Sequence, residues 1–271
     1  MVGIMKFQII GSGSKGNMTY IEANDTRILL DAGINLKEIN RRSEIDFEKI
    51  DALLITHEHS DHISSLLSIS KKLKCKIYIN KKSFEALINR YPGKYDKLNV
   101  KYIEANEKYK IKNIAFMPIL LSHDTANCFG FVFVSNEDKN EKECLSYITD
   151  TGFIPVPYLS LLSKSDSIII EANHDIEMLQ NSDRDWTLKQ RILSVTGHMS
   201  NLMCGEVVNK LLKKKKIDNV ILAHLSEECN TEELAVDTIL NAIDNDYLPT
   251  IYVSKQHESL PFINAKGKND D

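Results

Sequence analysis

Six consecutive residues, from His57 to His62, contain three of the eight histidines of the chain and an aspartate. In an extended segment side chains alternate with a period of two, so His57 and His59 can point to one side and bind one cation. Asp61 and His62 follow where the apolar pattern becomes helical, and they can bind a second cation beside the first. Imidazole and carboxylate ligands suit divalent first-row metals. The segment therefore predicts a metal site.

Three further candidate ligands follow predicted strands. His123, Asp150 and His224 each come directly after a short apolar run. Because ligand sites of α/β sheets gather beyond the carboxyl ends of strands, we expect these side chains to meet His57, with the two oxygens of Asp150 able to bridge two ions. A single such residue is usually only a hydrogen-bonded polar group, but the whole set favours a metal centre. The predicted ligands are His57, His59, Asp61, His62, His123, Asp150 and His224.

The elements that must position these residues alternate between strand-like and helix-like segments, which predicts a mixed α/β fold. An antiparallel meander over residues 4–10, 17–23 and 26–30 opens the chain. A polar loop at 135–143 is predicted to join two strands. Buried strands are predicted at 52–56, 115–121, 145–149 and 220–223, and helices at 63–74, 82–89, 155–163, 199–213 and 231–243.

The composition is that of an ordinary globular protein, with 42% hydrophobic and 27% charged residues. No apolar run reaches the roughly 18 residues of a membrane-spanning helix, and no signal peptide pattern opens the chain, so we expect a cytoplasmic protein without a membrane partner. The formal net charge of −4 gives no overall attraction to polyanions. Five scattered cysteines without a C-x-x-C pair indicate neither disulfides nor a thiolate metal site.

The motif H-x-H-x-D-H after a buried strand, with an earlier aspartate and the three later ligands, resembles the metallo-β-lactamase superfamily. The resemblance covers nearly the whole chain. It implies a four-layer αββα sandwich over residues 1–264, followed by a flexible tail at 265–271. The oligomeric state stays open, and a homodimer is compatible with the pattern.

The resemblance also implies how the ligands divide between two metal ions. One ion is expected at His57, His59 and His123, the other at Asp61, His62 and His224, with Asp150 shared. Asp31 holds the strand-end aspartate position of the family, where it is expected to orient a ligand histidine without binding metal. The alternative for Asp31 is an ordinary turn aspartate.

Two departures from other branches narrow the chemistry that the resemblance implies. Dinuclear β-lactamases resemble this pattern but have a cysteine where Asp150 stands, and flavin-partnered diiron relatives have a glutamate where His59 stands. Hydrolysis remains. Two adjacent divalent ions, zinc or manganese with iron also possible, lower the pKa of a shared water and stabilise charge on an attacked phosphorus.

The chain also contains short motifs at residues 11–17, 122–124, 171–175, 188–192, 197–201 and 224–226. Together they resemble the YycJ (WalJ) branch, whose members are associated with double-strand 5′ to 3′ exonuclease activity. This resemblance implies a phosphodiesterase with DNA as its substrate. A small-molecule hydrolase of cyclic phosphodiesters or thioesters, similar to PhnP-like enzymes, is the alternative, and a catalytically silent binding module is a third hypothesis.

Asp61 and His198 are the candidate catalytic residues. Asp61 is expected to help orient the nucleophile. His198 is predicted to open a helix whose free N–H groups attract phosphate, and to bind phosphate or protonate the leaving group; the alternative is a simple capping role. Ser200 and Asn201 would donate hydrogen bonds to phosphate oxygens, with helix capping an equal alternative.

Other candidate substrate contacts are weaker. Asn173 and His174 follow another apolar strand and are predicted to line the cleft, His174 as a hydrogen-bonded wall residue rather than a third-site ligand. The glycine-rich segment 11–17 could cradle a phosphate, although a hairpin turn is favoured. Two lysine-rich segments could contact duplex phosphates, but solvated helix ends account for them more simply. These lysines are Lys71, Lys72, Lys74, Lys76, Lys81, Lys82 and Lys213 to Lys216.

Overall fold

The computed structural model describes residues 4–135 and 142–267, and within these ranges the strands form two seven-stranded sheets. The first sheet has the strand order β14-β1-β2-β3-β4-β5-β6, and the second has the order β13-β12-β11-β10-β9-β8-β7. The first sheet contains β1 (Lys6–Gly11), β2 (Met18–Ala23), β3 (Thr26–Leu30), β4 (Ala52–Leu54), β5 (Lys76–Ile79), β6 (Val100–Tyr102) and β14 (Ile263–Asn264). The second contains β7 (Tyr109–Ile111), β8 (Ile114–Leu121), β9 (Cys128–Ser135), β10 (Glu143–Ile148), β11 (Ser167–Glu171), β12 (Asn219–Ala223) and β13 (Thr250–Val253).

Helices cover the outer face of each sheet. On the first sheet, α1, α3 and α4 bury Ile39, Leu66 and Phe84 against the strands. On the second sheet, α5, α8 and α9 bury residues such as Leu162 and Val208 in the same way. The helices are α1 (Leu36–Arg42), α2 (Ser60–Ile63), α3 (Leu66–Ser70), α4 (Lys81–Arg90), α5 (Val156–Leu162), α6 (Ile176–Asn181), α7 (Trp186–Leu193), α8 (Asn201–Leu212) and α9 (Glu232–Ala242).

A third apolar layer fills the space between the two sheets. Phe7 and Ile21 of the first sheet belong to the same buried cluster as Phe131 and Ile169 of the second. Because strand side chains alternate, neighbours such as Ile168 face the helices instead, which is why the central strands are apolar on both faces. The order helix, sheet, sheet, helix confirms the predicted αββα sandwich.

The direction of the strands brings several strand ends to one edge. In the first sheet β3, β4 and β5 run parallel, and in the second β10, β11 and β12 run parallel. Strand β8 pairs antiparallel with β9, which pairs antiparallel with β10, so β8 has the direction of β10. The carboxyl ends of β8, β10, β11 and β12 therefore lie along the same edge of the second sheet.

The predicted elements are largely confirmed, with differences at their ends. The opening meander is β1, β2 and β3, joined antiparallel. The predicted helix over 63–74 is wrong as a single element, because the Ser65 N–H donates to the Ala32 carbonyl and the segment divides into α2 and α3. The short elements without a prediction are α1, α6, α7, β5, β6, β7, β13 and β14.

Two predicted segments lie partly outside the described residues. Of the polar loop at 135–143, residues 136–141 lie outside, but Ser135 and Glu143 pair across β9 and β10, so the loop does join two strands. Of the predicted tail, residues 268–271 lie outside. Ala265 is fully buried and its N–H donates to the Met5 carbonyl, so Ala265 itself packs against the rest of the fold. No helix in the described ranges is long and apolar enough to cross a bilayer.

Candidate metal centre

The loop after β4 brings His57 and His59 to His123, which follows β8. One ring nitrogen of each histidine lies within 4.8 Å of the others. Nδ1 of His57 lies 3.0 Å from Thr56 Oγ1, while Nε2 of His57 is buried and has no hydrogen-bond partner within the described chain. A buried nitrogen of this kind is costly unless a cation completes its contacts. The geometry fits one metal ion between these imidazoles.

A second group of ligand atoms lies beside the first and contains Asp61, His62, Asp150 and His224. Nε2 of His62 lies 3.2 Å from an oxygen of Asp61 and 3.2 Å from Asp150 Oδ2. Nε2 of His224 lies 3.4 Å from Asp61 Oδ2 and 3.4 Å from Asp150 Oδ1. Asp150 Oδ1 is also 3.9 Å from His123 Nε2, so Asp150 faces both groups. The structure therefore brings all seven predicted ligands together.

The turns after β1 and β3 fix the position of α2. The Ala32 N–H donates to the His62 carbonyl, and the Asn17 N–H donates to the Asp61 carbonyl. A Cβ atom on Gly33 would lie 1.6 Å from the Asp61 carbonyl oxygen, so only glycine allows this approach. The Asn17 side chain also donates to Asp61 Oδ2 over 3.0 Å. Asn17 is thus a site residue whose role the sequence did not reveal.

The glycine-rich segment 11–17 is the hairpin turn between β1 and β2, as favoured from the sequence. Five of its backbone N–H groups, those of Ser12, Gly13, Lys15, Gly16 and Asn17, already have partners; Gly13, for example, donates to the Asn17 side chain and Lys15 to the Gln256 side chain. These groups are therefore not free to cradle a phosphate. The segment supports α2 instead.

Three strand-end residues at the centre have a left-handed backbone. The φ angles are 63° at Asp31, 60° at Asp150 and 58° at His224. This region is rare for residues other than glycine and costs on the order of 1 kcal/mol or more at each position. Backbone hydrogen bonds hold it in place, for example from the Asp31 N–H to the Leu54 carbonyl. The three strained residues all belong to or contact the candidate metal centre, in agreement with the tendency of backbone strain to cluster at functional sites.

In four of the five candidate ligand histidines, all except His59, the Nδ1 atom lies beside an oxygen atom. Asp31 Oδ2 lies 2.7 Å from His62 Nδ1, and the Gly197 carbonyl lies 3.1 Å from His123 Nδ1. Such partners fix the ring orientation and direct Nε2 toward a metal. Asp31 is fully buried and also accepts hydrogen bonds from Thr56, so it contacts a candidate ligand histidine as the prediction requires.

The charges around the centre fit a divalent cation. Burial by itself would raise the pKa of Asp150, but His224 and His62 hold that pKa well below its usual range. Burial would lower the pKa of His62, but Asp31, Asp61 and Asp150 raise it well above its usual value. Buried carboxylates are stable only beside positive charge. A divalent cation bound between them would provide that charge. The donor set of imidazoles and carboxylates and the fold together indicate a divalent-metal site.

Glu171, at the end of β11, is a site residue to which the sequence pattern assigned no role. It is fully buried, and its Oε1 lies 2.7 Å from His198 Nδ1 and 3.2 Å from His224 Nδ1. Burial would raise the pKa of Glu171, but His198 and His224 lower it to about 2. Glu171 therefore carries a negative charge that orients both histidines. Its signal in the sequence was a carboxylate ending an otherwise apolar strand.

His198 lies at the centre, but not at a helix N-terminus. The helix α8 begins at Asn201, and the His198 N–H donates to the Ile192 carbonyl, so the predicted phosphate site on free helix N–H groups is wrong. Nδ1 of His198 instead lies 3.9 Å from Asp150 Oδ1 and contacts Glu171. The side chain is 20% exposed and lines the cavity beside the metal centre.

Ser200 and Asn201 have structural contacts in place of the predicted phosphate contacts. The Ser200 hydroxyl caps α8 by accepting a hydrogen bond from the Met203 N–H. The Asn201 side chain is buried and forms a reciprocal pair of hydrogen bonds with Asn230, both 2.8 Å long. With these groups engaged, the capping alternative is correct for Ser200, and Asn201 is a buried structural residue.

Asn173 and His174 differ in their positions. Asn173 lines the cavity and donates to the His224 carbonyl over 2.8 Å. His174 is buried and does not line this cavity, and an isolated backbone bridge pairs it with Ser200. The predicted place of His174 on the cleft wall is therefore wrong, and its ring belongs to none of the metal-compatible groups in the described chain. Burial lowers the pKa of His174 to about 4.

The lysine-rich segments mostly lie away from the metal centre. Lys71 to Lys76 precede or open β5, and Lys213 to Lys216 precede β12. Both segments are at the amino ends of strands, whereas the candidate ligands follow the carboxyl ends. Lys81 and Lys82 begin α4 and lie on the metal side. The position of the first two segments, at the strand ends opposite the candidate ligands, favours solvated helix ends.

Comparison with known proteins agrees with this architecture. The beta-lactamase superfamily domain matches residues 26–225. The chain is 35% identical over 246 residues to a protein of Streptococcus pneumoniae named exodeoxyribonuclease WalJ, covering 88% of each. It is 31% identical over 242 residues to exodeoxyribonuclease YycJ of Bacillus anthracis, covering 85% of this chain and 86% of that protein.

The fold is similar to that of solved structures at low sequence identity. The metallo-beta-lactamase fold protein YhfI from Bacillus subtilis superposes with a TM-score of 0.70 at 17% identity, covering 95% of this chain and 99% of that one. This likeness shows the fold alone. Together with the family match over most of the chain, it shows that the chain belongs to the beta-lactamase superfamily, within its WalJ and YycJ-like branch, and is a metal-dependent hydrolase.

Proposed function

We propose that the chain is a phosphodiesterase that degrades DNA in the 5′ to 3′ direction with two divalent metal ions. One observation carries this proposal: all seven imidazole and carboxylate ligands meet in a chain whose relatives at 35% and 31% identity are named exodeoxyribonucleases. Two dications outweigh the charges of Asp61 and Asp150, so the site attracts an anionic substrate such as a phosphodiester.

The ligand geometry supports one ion at His57, His59 and His123 and the other at Asp61, His62 and His224, with Asp150 shared. The mixture of imidazole and carboxylate suits zinc or manganese, and iron is compatible. When bound, the ions would lower the pKa of a water molecule and stabilise negative charge on the attacked phosphate.

Asp61 is suited to orient the attacking water. It is the most exposed of the candidate carboxylate ligands, with 16% of its side chain accessible, compared with 2% for Asp150. Its Oδ2 contacts Asn17, His62 and His224, while its Oδ1 accepts no hydrogen bond within the described chain. That oxygen is therefore available to accept a hydrogen bond from a water and to aim the water at phosphorus.

His198 is suited to protonate the leaving oxygen. Glu171 accepts a hydrogen bond from His198 Nδ1, which fixes the orientation of the ring. The remaining ring nitrogen, Nε2, can then donate a proton to the departing alkoxide. Asn173 holds the neighbouring His224 loop in place through the His224 carbonyl. Glu171 thus contacts both the proposed acid, His198, and the candidate metal ligand His224.

A nuclease assay tests this proposal. Purified protein is loaded with zinc or manganese and incubated with 5′-phosphorylated duplex DNA labelled at either end, beside the variants Asp61→Ala and Asp246→Ala. Asp246 is exposed and has no ion-pair partner among the described residues, so its variant is the matched control. We expect release of nucleotides from the 5′ end by the wild type and by Asp246→Ala, and no release by Asp61→Ala.

The remaining outcomes separate the alternatives. Turnover of a cyclic phosphodiester or a thioester with inert DNA would replace the DNA proposal with a small-molecule hydrolase. A protein with two bound metals that hydrolyses none of these substrates would be a binding module. Release of nucleotides from the 3′ end only would reject the proposed polarity.

A further inference from the structure

The cavity beside the metal centre has a basic wall that takes no part in the proposed hydrolysis. Its volume is about 120 Å³, and it lies between His198 and His224 on one side and Arg184 and Arg191 on the other. Pockets for drug-sized ligands usually exceed roughly 300 Å³. A cavity of this size accommodates a phosphate group but not a whole nucleoside.

Arg184 is placed against the loop that follows His224. Its Nη2 lies 3.5 Å from the hydroxyl of Ser226, and its Nε donates to Glu228 over 2.9 Å. The Glu228 side chain is 68% exposed, and such solvent-exposed ion pairs contribute about 1 kcal/mol or less. A phosphate that enters the cavity can therefore replace Glu228 as the partner of the Arg184 guanidinium at a small cost in free energy.

Arg191 is tied to the metal centre through a single residue. Its Nε donates to Asp124, and Asp124 Oδ1 lies 3.6 Å from Nε2 of the candidate ligand His123. No contact in the described chain engages the two Nη groups of Arg191. A planar fork of free N–H groups matches the oxygens of a phosphate.

We infer that Arg184 and Arg191 bind the 5′-terminal phosphate of a DNA strand, which places the next phosphodiester at the metals; this inference rests on the proposed function. A terminal phosphate carries close to two negative charges, against one for an internal phosphate, and so matches two guanidinium groups. A terminal phosphate continues into a nucleoside on one side only, so it suits a small cavity of about 120 Å³ better than an internal phosphate does. The two arginines therefore determine specificity for a strand end.

Binding measurements test the arginine pair without turnover. Two duplexes with phosphorothioate linkages near the end, which resist hydrolysis, differ only in a 5′-phosphate or a 5′-hydroxyl and carry a fluorophore at the far end. Fluorescence anisotropy gives the affinity ratio for the wild type, Arg184→Gln, Arg191→Gln and the double variant. Arg90→Gln removes the same charge from an exposed position at the end of α4 and is the control.

We expect the wild type and Arg90→Gln to bind the 5′-phosphorylated duplex about tenfold more tightly, the value of one charge-assisted contact. Each single variant should lower this ratio, and the double variant should bring it close to one. Arg184→Lys should retain part of the preference, since it keeps the charge but loses the fork. Thermal unfolding shows whether each variant is folded. If the double variant does not fold, the two single variants test the inference.

Equal affinity of the wild type for both duplexes, or an unchanged preference in the folded variants, would overturn the inference. The nuclease assay gives an independent result. Phosphate preference without hydrolysis rejects the proposed function and retains the arginine subsite. Hydrolysis without phosphate preference rejects the subsite and retains the proposed function.

Discussion

The two sheets contribute to the metal centre in different ways. The first sheet provides four ligands from one six-residue segment, His57 to His62, supported by Asp31 and Asn17. The second sheet provides its ligands from three separate segments, and two further segments add Glu171 and His198. The first half is thus a local loop of candidate metal ligands, whereas the second half is a tertiary assembly that also contains the proposed proton-transfer groups. Substitutions in each half, and removal of the metal, can test this division of labour.

The largest effect is expected from Asp150→Ala, because Asp150 is the contact between the two halves. Its loss should remove metal from both positions and lower DNA hydrolysis by more than about 100-fold, the upper value for loss of an orienting partner. Elemental analysis and initial rates measure the two quantities. Asp246→Ala is again the control, and a variant of Asp150 with full metal content and activity would contradict the bridging role.

The second largest effect is expected from substitution of Asp31 or Glu171, the two carboxylates that contact ligand histidines without being predicted ligands. Asp31→Asn and Glu171→Gln should each weaken metal binding by about 10 to 100-fold, since each removes the charge that orients a ligand histidine. Only Glu171→Gln should also change the pH dependence of kcat, because Glu171 contacts His198 and Asp31 does not. Metal titration and pH–rate profiles at saturating metal provide the comparison. Identical pH profiles for the two variants would contradict a role for Glu171 and His198 in proton transfer.

Metal removal should have a smaller effect, on stability. A ligand present at 100 times its Kd stabilises the folded state by about 2.7 kcal/mol, so chelation should lower Tm by roughly 5 to 10 °C in a chain of this size. Differential scanning calorimetry with and without chelator measures the shift. The Asp150→Ala variant, which already lacks metal, should show little response, and an equal response would point to a site elsewhere.

The smallest effect is expected from Ser200→Ala. Loss of the α8 cap should destabilise the protein by about 1 kcal/mol and leave KM for DNA unchanged. Chemical denaturation and steady-state kinetics distinguish the two roles that were open from the sequence. An increase in KM without loss of stability would return Ser200 to the substrate site.

The first half of the site could be predicted from the sequence because its chemistry is contiguous. Four candidate ligands within six residues are hard to account for by packing alone, and the strand-end positions of His123, Asp150 and His224 supplied the rest. Glu171 could not be assigned in this way. Its role depends on β11 lying between β10 and β12, which sets its carboxylate beside His198 and His224. Sheet order of this kind is a tertiary property that no local pattern encodes.

His198 was identified as a candidate from the sequence, but its structural surroundings were not. The sequence indicated a residue near a helix start, but the helix begins after Ser200, whose hydroxyl is a good N-cap. What positions His198 is a hydrogen bond to the Ile192 carbonyl and the buried Glu171. Both partners come from other elements, so the residue could be identified as functional while its geometry could not.

The left-handed backbone at Asp31, Asp150 and His224 has a consequence for variation of this chain. Glycine adopts that conformation freely, so selection for folding alone would favour glycine at all three places. Purified Asp150→Gly should accordingly unfold at no lower temperature than Asp150→Ala. An aspartate or histidine kept at such a position is a sign of selection for catalysis, which could be looked for in uncharacterised chains of the same architecture.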